Sequence, residues 1–402
     1  MAQAIISRKG GGGSGYATIT FDIPGSLARS NPTSLSAARS GLAATTVGNY
    51  ALFGGGNTSG LASESSIVDA YNTSLIRSTP TTFYNSRSGF AATTVGNYAL
   101  FGGGMYYSGN EFYFRSTVEA YNISLTRSTP TSLSVGRDSL AATTVGDYAL
   151  FGGGGTKGGG SATIKSSVVD AYNTSLTRST PTSLSVERDS LAATTVGGYA
   201  LFGGGYSSGY SSIVDAYNTS LTRSTPTSLS AARSGFTATT VGNYALFGGG
   251  YGTGGNYYST VDAYNTTLTH STPTSLSQAR YVLAATTVGD YALFGGGYVY
   301  SIVDAYDTSL IHSNPTNLSQ ARLTLAATTV GDYALFGGGY NGSSASSVVD
   351  AYYLKLQKIQ LYPGAKYKFN DMADEATSQT FQEIEVATPI NGYIKVSNTT
   401  IN

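Results

Sequence analysis

Tyrosine is the residue whose type and placing in this 402-residue chain speak most directly of chemistry. Twelve aromatic side chains stand in stretches otherwise made of Gly, Ser and Asn: Tyr106, Tyr107, Phe112, Tyr113, Tyr206, Tyr210, Tyr251, Tyr257, Tyr258, Tyr298, Tyr300 and Tyr340. Tyr supplies rigid amphipathic area and the small polar residues supply adaptable hydrogen bonds, the mixture that antibody paratopes use. A tyrosine face also suits stacking on a sugar ring while its hydroxyl finds a polar partner. These twelve are the candidate ligand-binding residues. The competing expectation is that they only cover a glycine-rich face or pack loop on loop.

Charged residues recur with equal regularity. Seven arginines (Arg39, Arg87, Arg137, Arg188, Arg233, Arg280, Arg322) each open a copy of one repeated phrase. Seven acids (Asp69, Glu119, Asp170, Asp215, Asp262, Asp304, Asp350) recur in the same phase. A ring of guanidinium groups can hold an acidic ligand bidentately. Identical copies in every repeat are better explained as scaffold, each Arg satisfied by carbonyls or by the acid of its own repeat. The acids, one per repeat, are too dispersed to converge on a metal ion. His270 and His312 replace an Arg found at the same place in other copies (Arg77, Arg127, Arg178, Arg223), which predicts a solvated outer position. Glycine runs such as 152–155 lack the Lys-Ser/Thr and helix of a phosphate loop. No nucleophile, acid/base pair or cofactor motif is evident, so no catalytic residue, cofactor or metal is expected.

The elements that must position these residues follow from the repeat. The phrase Leu-Ala-Ala-Thr-Thr-Val-Gly-Asn-Tyr-Ala-Leu-Phe-Gly-Gly-Gly recurs with its Phe at 53, 101, 151, 202, 247, 294 and 336, a period of 42 to 51 residues. The distance from Arg to Phe is 14 residues in every copy, and from the later Tyr (Tyr71 in the first copy) to the next Arg it is 16. Only the stretch between Phe and that Tyr changes length, from 12 to 21 residues, so it reads as a surface loop between constant scaffold segments. Each copy predicts four short strands: Ala-Ala-Thr-Thr-Val, then Tyr-Ala-Leu-Phe after a two-residue hairpin, then Val-Asp-Ala-Tyr, then an outer strand near the Pro. Antiparallel four-stranded units repeated radially describe a β-propeller blade. Loops 2–3 and 4–1 then emerge on one face, which is where the copies differ. The recurring Asn-Thr-Ser triplets (Asn72, Asn173, Asn218) read as turns after the third strand.

The glycine pair after an apolar strand (Gly54-Gly55), the spaced Tyr71 and the Arg87 that opens the next copy resemble the kelch repeats of seven-bladed propellers. The resemblance covers residues 17–353 and implies an all-β fold. It departs at one point: kelch repeats usually carry a Trp in the fourth strand and this chain has none, so Leu75 and its equivalents must serve. The copper-oxidase chemistry of some kelch relatives needs Cys and clustered His, which are missing. The last copy lacks its fourth strand, and Leu27–Ser36 matches Leu310–Ser319, so the N-terminal segment is expected to complete blade seven and close the ring. Closure removes open sheet edges.

Three segments result: a Gly-rich, mobile N-terminus at 1–16, the propeller at 17–353, and a C-terminal β appendage at 354–402 with alternating stretches at 366–369 and 392–396. Within the second, 17–23 alternates as a strand that either competes with or extends blade seven. With 22 basic and 22 acidic residues and no Cys, a nucleic-acid stripe and disulfides are not expected. No secretory signal and no transmembrane stretch are evident, so no membrane insertion is expected. The leading expectation is a non-enzymatic binding module for a cell-surface glycan or protein receptor. Its texture resembles phage tail-associated host-recognition proteins, with virion tail or baseplate partners held through the termini. That implies a virion or extracellular setting. The alternatives are an intracellular kelch-type interaction scaffold in the cytoplasm and a polysaccharide-acting enzyme.

Overall fold

The computed structural model describes residues 4–6, 19–59, 63–158, 163–298, 300–361, 366–370 and 381–385. Among these there is no α-helix, and seven antiparallel sheets form a closed β-propeller. The chain divides into two compact units, Leu27–Tyr353 and a second made of Met1–Ser26 with Leu354–Asn402. In the second unit Ala4–Ile6 pairs with Ile19–Phe21, and Lys366–Asn370 with Phe381–Glu385. The expected strand at 392–396, and 1–16 apart from Ala4–Ile6, lie outside the described residues.

Blade 1 shows the pattern of the first six blades, and the seventh shares its three inner strands. Ala43–Val47 is innermost, followed outward by Tyr50–Gly54, Val68–Asn72 and the two-residue strand Arg77–Ser78. The fourth strand is confined to two residues ahead of Pro80, which lacks the N–H that a ladder needs. The first hairpin turns through Gly48 at φ +52°, the position where a two-residue turn of this hand needs glycine. Asn72 Oδ1 accepts from the N–H groups of Ser74 and Ile76, so the Asn-Thr-Ser triplet is an Asx turn.

The core sits between blades. Leu52, Val68 and Ala70 of blade 1 meet Phe101, Ala99 and Tyr121 of blade 2, with Phe83 and Phe90 from the connection and Leu125 packed at the edge. Six equivalent clusters complete the circle. Each Phe meets its own blade's Tyr edge-on, as Phe53 and Tyr71 do at 5.9 Å. The last strand-two glycine gives this ring its place. A Cβ on Gly102 would stand 2.8 Å from the Phe151 ring of the following blade.

Closure is by the end of the N-terminal strand: residues 27–30, which belong to the propeller unit, form the outer strand of blade 7 beside 349–353. Asn31 Nδ2 donates to Asp350, the Val349 carbonyl and Ser319 Oγ. Asn314 makes the same three bonds in blade 6, to Asp304, Val303 and Ser277. Around the axis, threonine hydroxyls bond from blade to blade, including Thr46 to Thr328 at 2.8 Å across the closure. Fourteen threonines thereby line a central cavity of about 380 Å³ with hydroxyls that already have partners.

Candidate functional site

Beneath the variable face lies a charged ring that is scaffold. Every repeat Arg is fully buried. Arg39 Nη1 donates to the carbonyls of Gly55 and Ile67, and Nη2 to Asp69. The other six also reach the acid of their own repeat. Asp69 carries a second cation, Arg77, at 3.0 Å. His270 and His312 take that second place, 2.6 Å from Asp262 and 2.7 Å from Asp304. They keep 17% and 15% of their side-chain surface exposed, so the expected outer position is only partly solvated. Burial pulls the Arg280 guanidinium below its usual range. The Arg280 charge and the Ser277 N–H hold Asp304 below the ordinary carboxylate range despite burial.

Each Arg holds the loops above it. The residue after Arg and the residue after Gly-Gly-Gly bridge as neighbours: Ser40 with Asn57, Ser88 with Met105, Asp138 with Gly155, Asp189 with Tyr206, Ser234 with Tyr251, and Leu323 with Tyr340. In blade 6 the Tyr298 N–H donates to the Tyr281 carbonyl at 3.1 Å. Constant backbone therefore sets a variable pair of side chains on every blade. This is the expected recognition face, with loops 2–3 and 4–1 side by side.

On blades 4 to 6 these pairs make a continuous aromatic band. Ring centroids run from Tyr206 to Tyr210 (5.2 Å), Tyr251 (5.5 Å) and Tyr257 (5.7 Å). Tyr257 stacks on Tyr281 at 5.0 Å and 5° and lies 5.3 Å from Tyr298, which in turn meets Tyr300. The tyrosines do pack loop on loop, yet Tyr206, Tyr257 and Tyr298 keep 37–40% of their surface exposed. Tyr281 was not among the candidates. The signal was its place after the repeat Arg, where other copies carry Ser, Asp or Leu. Tyr258 does not join the band: its ring lies against Gly252, where a Cβ would come within 2.6 Å, so it supports its own loop. Tyr340 stands alone on blade 7, exposed and without a ring neighbour among the described residues.

The remaining candidates share the hairpin of blade 2, Met105–Ser108 with Glu111–Phe114. Tyr106 stacks with Tyr113 at 5.0 Å and Tyr107 lies 4.9 Å from Phe112. Arg115 caps the Tyr106 ring at 4.0 Å. Between this hairpin and blade 4, Asp138 and Asp189 flank Gly155, and Lys165 bonds Asp189. Burial, with Asp189 adding to it, pushes the Asp138 carboxyl up to about 6 against the Ser139 hydrogen bond. Among the described residues no cluster of His, Cys, Asp and Glu could hold a metal ion.

No protein-family model matches this chain, and no curated protein matches it. The solved structure of YjhT is similar to 82% of this chain and to 99% of its own length, with a TM-score of 0.52 and 12% identity. At that identity the likeness is one of fold, and it agrees with the blade geometry: the chain is an all-β, seven-bladed propeller.

Proposed function

We propose that this protein is a non-catalytic recognition module of kelch-like build whose loop 2–3 and 4–1 face binds a glycan of a cell surface. The observation that carries this reading is the aromatic band. Seven tyrosines from three adjacent blades, Tyr281 among them, stand in ring contact on the face where the copies differ. Rigid rings with exposed faces and hydroxyl edges match the apolar faces and equatorial hydroxyls of a saccharide. Tyrosines already packed together lose little side-chain entropy when a ligand arrives.

The low charge, the Gly/Ser/Thr/Tyr texture and the second unit built from both chain ends favour a virion tail setting, with that unit as attachment to tail or baseplate proteins. A glycan array is the test, with the wild type beside Tyr257→Ala/Tyr281→Ala/Tyr298→Ala. Saccharide binding lost in the variant with the propeller's circular dichroism unchanged supports the reading. Binding to peptides in place of glycans would favour an interaction scaffold. Binding that survives removal of the band, and of 105–114 as well, refutes the recognition face.

One observation favours polysaccharide cleavage as a second reading. Asp138 and Asp189 flank Gly155 on the same face, with burial raising the Asp138 carboxyl to about 6, and glycoside hydrolysis uses a pair of neighbouring carboxyl groups. Turnover of a polysaccharide that Asp138→Asn abolishes would establish it.

A further inference from the structure

Twelve arginines whose side chains are described, the outer ones included, have a carboxylate oxygen within 3.6 Å. Arg115 is the exception among the described residues. Its Nε donates to the Ser86 carbonyl at 3.1 Å, and one guanidinium face lies on Tyr106. The nearest acids are otherwise engaged. Glu64 accepts from the Tyr107 N–H, and Glu119 belongs to the buried pair with Arg87. Glu111 holds Lys157 at 3.2 Å. Arg115 is therefore a half-buried cation held in no direct ion pair, with Glu64 and Glu119 acting on its charge only at a distance, so an incoming anion gains a charge-assisted bond there.

Arg115 also lines a cavity of about 400 Å³ with Tyr106, Tyr113, Gly136, Thr156 and Lys157. That volume lies in the range of small-molecule sites, roughly 300–1,000 Å³. Tyr113 offers a partly exposed ring, and Lys157 lies 5.4 Å from it. The Lys157–Glu111 pair is about half exposed, so water already screens it and a ligand displaces it at little cost. The loop supplying Arg115 is specific to blade 2, and Thr156 and Lys157 come from the insertion of blade 3. The cavity is therefore built mainly from the elastic segments of two blades, and no tyrosine of the band lines it.

We infer that this cavity is a second subsite, selective for a carboxylated sugar, with Arg115 receiving the carboxylate and Tyr113 the sugar face. The inference rests on reading this face as a glycan surface, but at a separate place. A planar carboxylate meets the two terminal nitrogens of a guanidinium in parallel, and the ring on Tyr106 fixes the plane in which they point.

Saturation-transfer NMR with galacturonate and galactose at matched concentrations tests it, on wild type, Arg115→Gln and the triple tyrosine variant above. The expected result is galacturonate binding that weakens about tenfold or more in Arg115→Gln, as loss of a charge-assisted bond implies. That binding should also fall with added salt and persist in the triple tyrosine variant. Equal signals from the two sugars, or galacturonate binding unchanged in Arg115→Gln, overturn the subsite. Galacturonate held at Arg115 while no glycan needs the tyrosine band would leave the subsite standing and remove the band's role. No saccharide signal at all would remove both. Lys157→Gln is the second variant, expected to weaken galacturonate by a smaller factor.

Discussion

Asp304→Asn is the substitution whose consequence can be worked furthest. Asp304 is fully buried and receives Arg280, the Ser277 N–H at 2.8 Å, His312 at 2.7 Å and Asn314 at 3.0 Å. An amide keeps one acceptor oxygen but loses the charge. Arg280, itself without exposed surface, is then a buried cation with no counterion, a state that costs about 3–5 kcal/mol. For a ring of this size that is a fall in melting temperature of roughly 6–10 °C, taking about 2 °C per kcal/mol. His312→Gln touches the same acid from a partly wet position and should cost under about 1 kcal/mol. Combining Asp304→Asn with Arg280→Met removes the stranded charge and keeps an acceptor for Ser277, so the double variant should be more stable than Asp304→Asn alone. Urea denaturation and scanning calorimetry read all three. If Asp304→Asn costs less than about 1 kcal/mol, or the double variant is the least stable, the buried Arg–acid ring is not what holds the loops, and the reasoning about it is wrong.

Acid should act on the same ring. Asp262 and Asp304 are held below the ordinary carboxylate range, so their contribution is fully present above about pH 4 and is lost as pH falls through their lowered values. Denaturant midpoints measured from pH 5 down to pH 2 should therefore decline steeply. Asp138 has the opposite sign: with its carboxyl pushed up to about 6, ionising it in the fold is unfavourable, so Asp138→Asn should stabilise the protein by about 1–3 kcal/mol at pH 8 and change little below pH 4. Gly102→Ala places a methyl 2.8 Å from Phe151 and should cost about 1–3 kcal/mol by calorimetry, whereas Gly198→Ala, with nothing within 4 Å, should stay within about 0.5 kcal/mol. Asn31→Ala removes three bonds at the ring closure and should cost about 1–3 kcal/mol, with hydrogen exchange rising first in blade 7.

Much of the fold was legible because a repeat states its own geometry. The fixed 14- and 16-residue intervals marked the scaffold, and the match of Leu27–Ser36 to Leu310–Ser319 located the closure that Asn31 makes. The dispersal of one Arg and one acid per copy was enough to expect structural pairs. Sequence also placed the tyrosines on one face, since antiparallel strands put loops 2–3 and 4–1 at the same end. It left open which tyrosines meet. Tyr210 and Tyr251, or Tyr257, Tyr281 and Tyr298, come from different copies, and their contacts depend on how insertions of unequal length fold across the gap between blades. Periodicity is silent about that, because the elastic loops are the part that does not repeat. The lack of a direct ion pair at Arg115 and the shift of Asp138 arise in the same way. Each is set by which charges and how much water the neighbouring blade leaves beside the group, and a linear pattern holds neither quantity.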